Sequence, residues 1–517
     1  MLIAIVHYHL NRGGVTQVIA NHLRALQLQA GDLDQLRVVI LHGGRQDGWP
    51  DRLPDVPTLE YTVRAIAGLD YDDQPRDSDD LAEAVQSALY EMGGSPQSTV
   101  VHVHNHSLGK NPTLPSALYR LAEDGWPLLL HLHDFAEDFR PDNYRRLTGA
   151  NGRKTPAETI SAIYPTASHV HYAVLNQRDA GILSTAGIDP AQLHVLPNAV
   201  GDFGALPSRH TARRELHRVC GIPTQRPLLL YPVRGIRRKN LGEALMWSSL
   251  AADRGYVGMT LAPATLAEIP SYQRWKSLAA SLGLPMVFEL GSVSGLSYAG
   301  NLAAADRMLT TSVAEGFGLV FLESWLAGKS LAGRNLPEIT SDFVQAGLRL
   351  DELDLRLDVP LEWIGVSRWQ RAFQQAYTET LARFGRPTPS PAAFRDAWDK
   401  LSQDGWVDFA ALPSDLQQEV VELVSNSSER RQQVLAHHPR IAQVLDAVQP
   451  SQDTIAHNAQ VVRNAYSLAA CGRRLVDLYR DILSRTPDGG VRPLADSERI
   501  LDEFLKPERF HPIRVEA

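Results

Sequence analysis

A chain of 517 residues is longer than one hydrophobic core usually serves, so two domains with an added segment are expected. Its 51 Lys and Arg stand against 59 Asp and Glu, a net charge of −8, which argues against a broad nucleic-acid surface and points to small-molecule partners, with room for a local basic pocket. The two cysteines, Cys220 and Cys471, lie far apart; they form neither a disulfide framework nor a zinc ribbon, and a reducing cytoplasm fits them.

Residues 1–6 are apolar but too short for a secretory core, and nowhere do 18 apolar residues run together, so neither an export signal nor a membrane span is expected. Residues 2–6 read as a buried strand, followed by the loop 7–14 and a helix with Val15, Val18, Ile19, Leu23 and Leu26 on its apolar side. Gly13 and Gly14 in that loop let backbone approach a ligand closely, although the pair lacks the full dinucleotide fingerprint. Short apolar runs at 38–41, 100–103, 128–132 and 170–175 alternate with helical patterns at 79–92 and 114–122. That alternation predicts an α/β half with a mainly parallel sheet.

Histidines mark the strand ends: His7 and His9; His102, His104 and His106; His131 and His133; His169 and His171. A spacing of two puts each set on one face of its strand, and strand C-terminal ends are where open α/β sheets bind ligands. Metal ligation is not expected, because a carboxylate-rich ligand set at matching strand ends is missing and the pattern predicts a sheet rather than a barrel. A histidine such as His133 suits a hydrogen bond to a sugar hydroxyl, and most of the others should be packed and satisfied. Asn105, His106 and Lys110 form a polar loop that reads either as solvated or as an acceptor pocket in which Lys110 meets an anionic group.

In the second half, residues 227–233 read as a strand, and Arg234, Arg237, Arg238 and Lys239 follow it before a helix at 241–252. Four cations at a helix N-terminus oppose its dipole, so something negative should compensate them. Strands are expected at 258–261 and 286–290, and helices at 272–282 and 296–305. Residues 319–322 with Trp325, Leu326 and Ala327 predict a helix buried all round and stopped by Gly328. Glu323 inside it needs a polar partner. Ahead of it, Glu315, Gly316, Phe317 and Gly318 place small residues where backbone N–H groups and the positive dipole end can meet an anion. Beyond residue 343 the pattern turns helical with little strand character, a linker falls at 387–391, and 453–483 reads as one long helix.

Glu315 and Glu323 with seven residues between them, Gly-Phe-Gly after the first, and GRNLPE at 333–338 resemble the donor motif of the retaining GT-B glycosyltransferases of family-four type, the glycosyl transferases group 1. Arg234 and Lys239 match that family's pair gripping the donor diphosphate, HLHD at 131–134 its histidine facing the donor sugar, and LHVLPN at 193–198 the close of its N-terminal domain. The resemblance implies two Rossmann-like doubly wound α/β domains facing a cleft. These are an acceptor-side domain at 1–205, a donor-nucleotide domain at 206–344, a mostly helical insertion at 345–450, and a C-terminal helical segment at 451–517 returning to the first domain. It implies hexosyl transfer from a sugar nucleotide to an acceptor hydroxyl with retention, and no metal or other cofactor, the sugar nucleotide being substrate. By the same resemblance His133, Glu315, Arg234 and Lys239 are the catalytic group. Gly13, Gly14, Gly291 (in a loop along the base), Gly316, Phe317, Gly318, Leu319 and Glu323 hold the donor, the last through ribose hydroxyls. An epimerase or phosphorylase on the same fold, or a non-catalytic sugar-nucleotide binder, are the alternatives.

Overall fold

The apolar runs of the N-terminal half become the centre of a seven-stranded parallel sheet: β1 (Leu2–Val6), β2 (Arg37–His42), β3 (Glu60–Ala65), β4 (Thr99–His104), β5 (Leu128–Leu132), β6 (Val170–Val174) and β7 (Leu193–Val195). The order is β3-β2-β1-β4-β5-β6-β7. Strands β1, β4, β5 and β6 are buried at every residue, as continuous apolar strands covered on both faces should be. The order reverses between β1 and β4, so the loops after these two strands flank the crevice where open sheets take ligands.

This computed structural model describes residues 1–29, 36–72, 74, 76–149, 163–447, 450–485 and 490–516. The chain divides into two units, 1–201 with 464–506 and 202–463 with 507–517. In the first, Ile19, Leu23 and Leu26 of the helix Gly14–Gln27 share one core with Ile3 and Ile5 of β1 and with Leu475, Tyr479 and Ile482 of the helix Leu468–Ser484. A Cβ at Gly472 would collide with the Ala25 carbonyl, so glycine is what lets these helices meet so closely.

The single helix expected over 453–483 is two helices, Gln452–Ala465 and Leu468–Ser484. Ser467 breaks it by capping the second, its Oγ accepting from the Ala470 N–H at 3.3 Å. Residues up to Arg463 group with the second unit and 507–517 return to it, so only the middle of the segment 451–517 belongs with the first.

The second unit carries a six-stranded parallel sheet: β8 (Leu228–Arg234), β9 (Tyr256–Leu261), β10 (Met286–Val287), β11 (Arg307–Thr310), β12 (Leu331–Arg334) and β13 (Leu353–Asp354), in the order β10-β9-β8-β11-β12-β13. Its order reverses between β8 and β11. The expected insertion is part of this unit, and it is not purely helical: Asp358–Pro360, Ser402–Gln403 and Trp406–Asp408 pair as a small antiparallel sheet. No helix among the described residues is long and apolar enough to cross a membrane.

Candidate active site

The basic turn after β8 and the Glu315 segment after β11 stand on the two sides of the switch point in the second sheet. Tyr231 of β8, fully buried, ties them together: its hydroxyl donates to the Lys239 carbonyl at 3.0 Å and bonds the Ser312 hydroxyl at 2.7 Å. The Thr311 hydroxyl donates to the same Lys239 carbonyl at 2.9 Å, and the Val313 N–H to the Arg238 carbonyl at 2.9 Å. Asn240 then turns the chain at φ 47° into the helix Leu241–Ala251. So held, the Lys239 ammonium pairs with the Glu315 carboxylate, both side chains nearly out of solvent. Burial would raise the Glu315 carboxyl, but Lys239 and Arg238 outweigh it and hold it below its ordinary value. The negative partner that the cationic turn demanded is therefore Glu315, with Glu268 as a second: Arg237 meets Glu268 at 3.3 Å and donates to the Glu516 carbonyl. Arg237 is committed to structure, whereas Arg234 is exposed, its Nη1 reaching, among the described residues, only the Ala262 carbonyl at 3.4 Å.

Gly318 enters the next helix at φ +82°, a conformation that favours glycine. That helix, Val320–Leu326, is shorter than expected, and Leu319 ahead of it is 40 % exposed, so its entrance is not buried all round. Phe317 is buried and packs edge-on against Phe343, and Gly316 is half-buried. Gly328 stops the helix at φ +67°, as expected. Glu323 has the polar partner its position required, Tyr298, whose hydroxyl donates at 3.3 Å. Burial nevertheless pushes the Glu323 carboxyl up to about 7. One long hydrogen bond leaves this carboxylate with acceptor capacity to spare. Gly291 lies not in an extended loop but in a single turn, Leu290–Val293, exposed, with its Cβ position 3.0 Å from the Thr260 carbonyl.

Arg334, the Arg of GRNLPE, sits behind this site. It bonds Glu243 of the helix Leu241–Ala251 at 2.6 Å and Asp408 of the inserted sheet at 2.7 Å, all three side chains buried. Asn240 donates to Glu243 at 2.8 Å, so the triad is linked to the residue after Lys239. Gly333 beside it, at φ +111°, leaves no room for a Cβ against the Thr310 carbonyl.

In the first unit His133 is buried, its Nε2 2.8 Å from Nδ1 of His104. Asn105, at φ 59°, accepts on Oδ1 from the N–H groups of His133 at 2.7 Å and Asp134 at 3.2 Å. His106 is fully buried and bonded to the Ile163 carbonyl at 3.0 Å. Neither side chain is solvated; both are buried and hydrogen-bonded inside the first unit. Lys110 is half-buried beside the Tyr71 ring, 5.4 Å from its centroid. Gly13 and Gly14 are exposed, with open space where the Cβ of Gly14 would be. Asp134 pairs with Arg140 at 2.6 Å. Glu137, invisible as a site residue in the sequence, is buried with its carboxyl raised to about 7 by desolvation, and the Tyr164 hydroxyl donates to it at 3.0 Å.

Two doubly wound sheets with these switch points match solved structures over nearly the whole chain. The catalytic domain of starch synthase IV from Arabidopsis thaliana aligns with a TM-score of 0.54 at 13% identity, covering 94% of this chain and 99% of that one. Sucrose-phosphate synthase from Thermosynechococcus elongatus gives 0.53 at 14%, covering 94% and 99%. HepE from Anabaena gives 0.52 at 12%, covering 93% and 99%. The chain has the GT-B fold. A curated relative of this GT-B protein, mannosylglucosyl-3-phosphoglycerate synthase from Petrotoga mobilis, is 26% identical over 358 residues, 66% of each chain, so the alignment spans about two thirds of the relative. No family model matches.

Proposed function

We propose that this GT-B protein transfers a hexosyl group from a nucleoside-diphosphate sugar to an acceptor hydroxyl, with retention and without a metal. The observation that carries the reading is the buried Lys239–Glu315 pair at the switch point of the second sheet, with the exposed Arg234 on the same turn. HepE was solved with UDP and glucose, and starch synthase IV with ADP and acarbose, which supports a nucleotide-sugar donor. The 3-phosphoglycerate in the relative's name supports an anionic acceptor.

In this reading Arg234 and Lys239 meet the departing diphosphate as fixed positive charge aimed where negative charge develops. Glu315 accepts from donor-sugar hydroxyls, and Glu323 accepts from the ribose. His133 takes the donor-sugar contact that the family resemblance gives it. The bond from the anomeric carbon to the diphosphate oxygen breaks as the acceptor oxygen bonds that carbon on the same face. The acceptor's proton passes to the departing phosphate. The two glutamates are not a glycosidase acid and nucleophile, since both serve the donor. The test is incubation with UDP-, ADP- and GDP-hexoses and phosphorylated acceptors in the presence of a chelator, followed by NMR of the product. A product with the donor's anomeric configuration supports the reading. Inversion, a free epimerised sugar nucleotide, or no turnover with any donor contradicts it.

A further inference from the structure

Beneath the sheet of the first unit lies a set of histidines that the transfer chemistry does not use. His22 stands on the helix Gly14–Gln27, and His102 and His104 on one face of β4. All three are 0–1 % exposed. The rings crowd one another, with centroids 5.4 Å apart for His22 and His102, 5.5 Å for His22 and His104, and 4.5 Å for His102 and His104. One ring nitrogen from each lies within 4.8 Å of the other two.

The hydrogen bonding of this set is unfinished. Both nitrogens of His22 and Nε2 of His104 have no partner among the described residues. A buried polar atom left unpaired costs about 1–3 kcal/mol, so three of them in one dry place call for an occupant. Two of the rings are also held from behind through their other nitrogen. His104 Nδ1 is 2.8 Å from His133 Nε2, and His102 Nδ1 is 2.7 Å from the Tyr479 hydroxyl. Ligating histidines characteristically engage their second nitrogen in this way. His102 Nε2 is 3.1 Å from His131 Nδ1, the longest bond of the set and the one to be given up on ligation.

We propose that His22, His102 and His104 bind a divalent transition-metal ion, the imidazole donor set suiting zinc, copper or nickel. The ion clamps the helix Gly14–Gln27 to β4 and, through His104, fixes the ring of His133. Its role is structural: it takes no part in the departure of the diphosphate.

The test uses the full chain without a polyhistidine tag, expressed in zinc-supplemented medium. Elemental analysis should find close to one zinc per chain, and chelation should lower Tm by several degrees, with re-addition of Zn2+ restoring it. Replacing zinc by Co2+ should give visible absorption of a nitrogen-ligated cobalt centre. His22→Leu should abolish zinc retention, the cobalt spectrum and the chelator response together. Should His22→Leu not fold, the cobalt spectrum and metal content of the unaltered chain decide. Substoichiometric metal with no Tm response to Zn2+, Co2+ or Ni2+ would overturn the proposal, as would a His22→Leu variant that binds zinc like the parent.

Discussion

Replacing Arg334 by Met removes the only cation of the buried triad and leaves Glu243 and Asp408, respectively 1 % and 4 % exposed, facing each other. Breaking a buried ion pair from one side costs about 3–5 kcal/mol, because the partner charge stays buried and uncompensated. Even with Arg334 present, burial raises the Glu243 carboxyl to about 7, so in the variant its proton is held more tightly still. A carboxyl whose folded pKa lies above its unfolded value adds stability below the unfolded pKa and loses it as pH rises through the folded one, at about 1.4 kcal/mol per pH unit. The deficit of the variant should therefore be larger at pH 8 than at pH 5.5. Urea unfolding followed by tryptophan fluorescence reports it, since Trp247 and Trp369 are buried in the same unit. Because Asn240 links the triad to the turn carrying Lys239, transfer should fall as well. An Arg334→Met variant that unfolds at the parent's urea concentration at both pH values, or that gains stability on going to pH 8, refutes this reasoning.

If Glu323 accepts from the ribose as proposed, donor binding should weaken as pH falls below about 7, since burial raises its carboxyl to about 7; calorimetric titration with the preferred donor should show this slope, and Glu323→Gln should flatten it while weakening binding at pH 8. Glu137→Gln should match the parent in stability near pH 4.5 and exceed it by about 1–3 kcal/mol at pH 8, because the parent's raised carboxyl loses stability as pH rises from 4.5 through about 7; equal stability at both pH values would show that Glu137 is solvated. Gly472→Ala drives a methyl into the Ala25 carbonyl and should cost about 1–3 kcal/mol by thermal unfolding, with no gain from its better helix propensity.

The cationic turn after β8 and the Glu315 segment after β11 were legible in the sequence because their signals are local. Glu315, Glu323 and the glycines around them lie within one short stretch, and the cationic turn declares its need for a negative partner by charge alone. What the sequence hid was anything requiring a distant neighbour. Asp408, far down the chain, completes the Arg334 triad, so the insertion is anchored in the second unit. The strand Glu60–Ala65 escaped because its residues are polar and half-exposed at a sheet edge, without a continuous apolar run. Most of the histidines were expected to be satisfied, yet several have ring nitrogens without partners among the described residues, and His22 pointed to nothing until a helix brought it over β4. The loop at 105–110 read as polar because residue type says nothing of burial; Asn105 and His106 are spent inside.

The central claim is that Lys239 and Glu315 hold a nucleoside-diphosphate sugar at the switch point of the second sheet. Calorimetric titration of the parent, Lys239→Ala and Glu315→Gln with UDP-, ADP- and GDP-hexoses tests it most directly. The account predicts saturable binding of one donor by the parent, a loss of at least about tenfold in affinity in Lys239→Ala, and for Glu315→Gln weaker binding of the intact sugar nucleotide but not of the free nucleoside diphosphate. Undiminished affinity in Lys239→Ala, or no binding of any of the three donors by the parent, would contradict it.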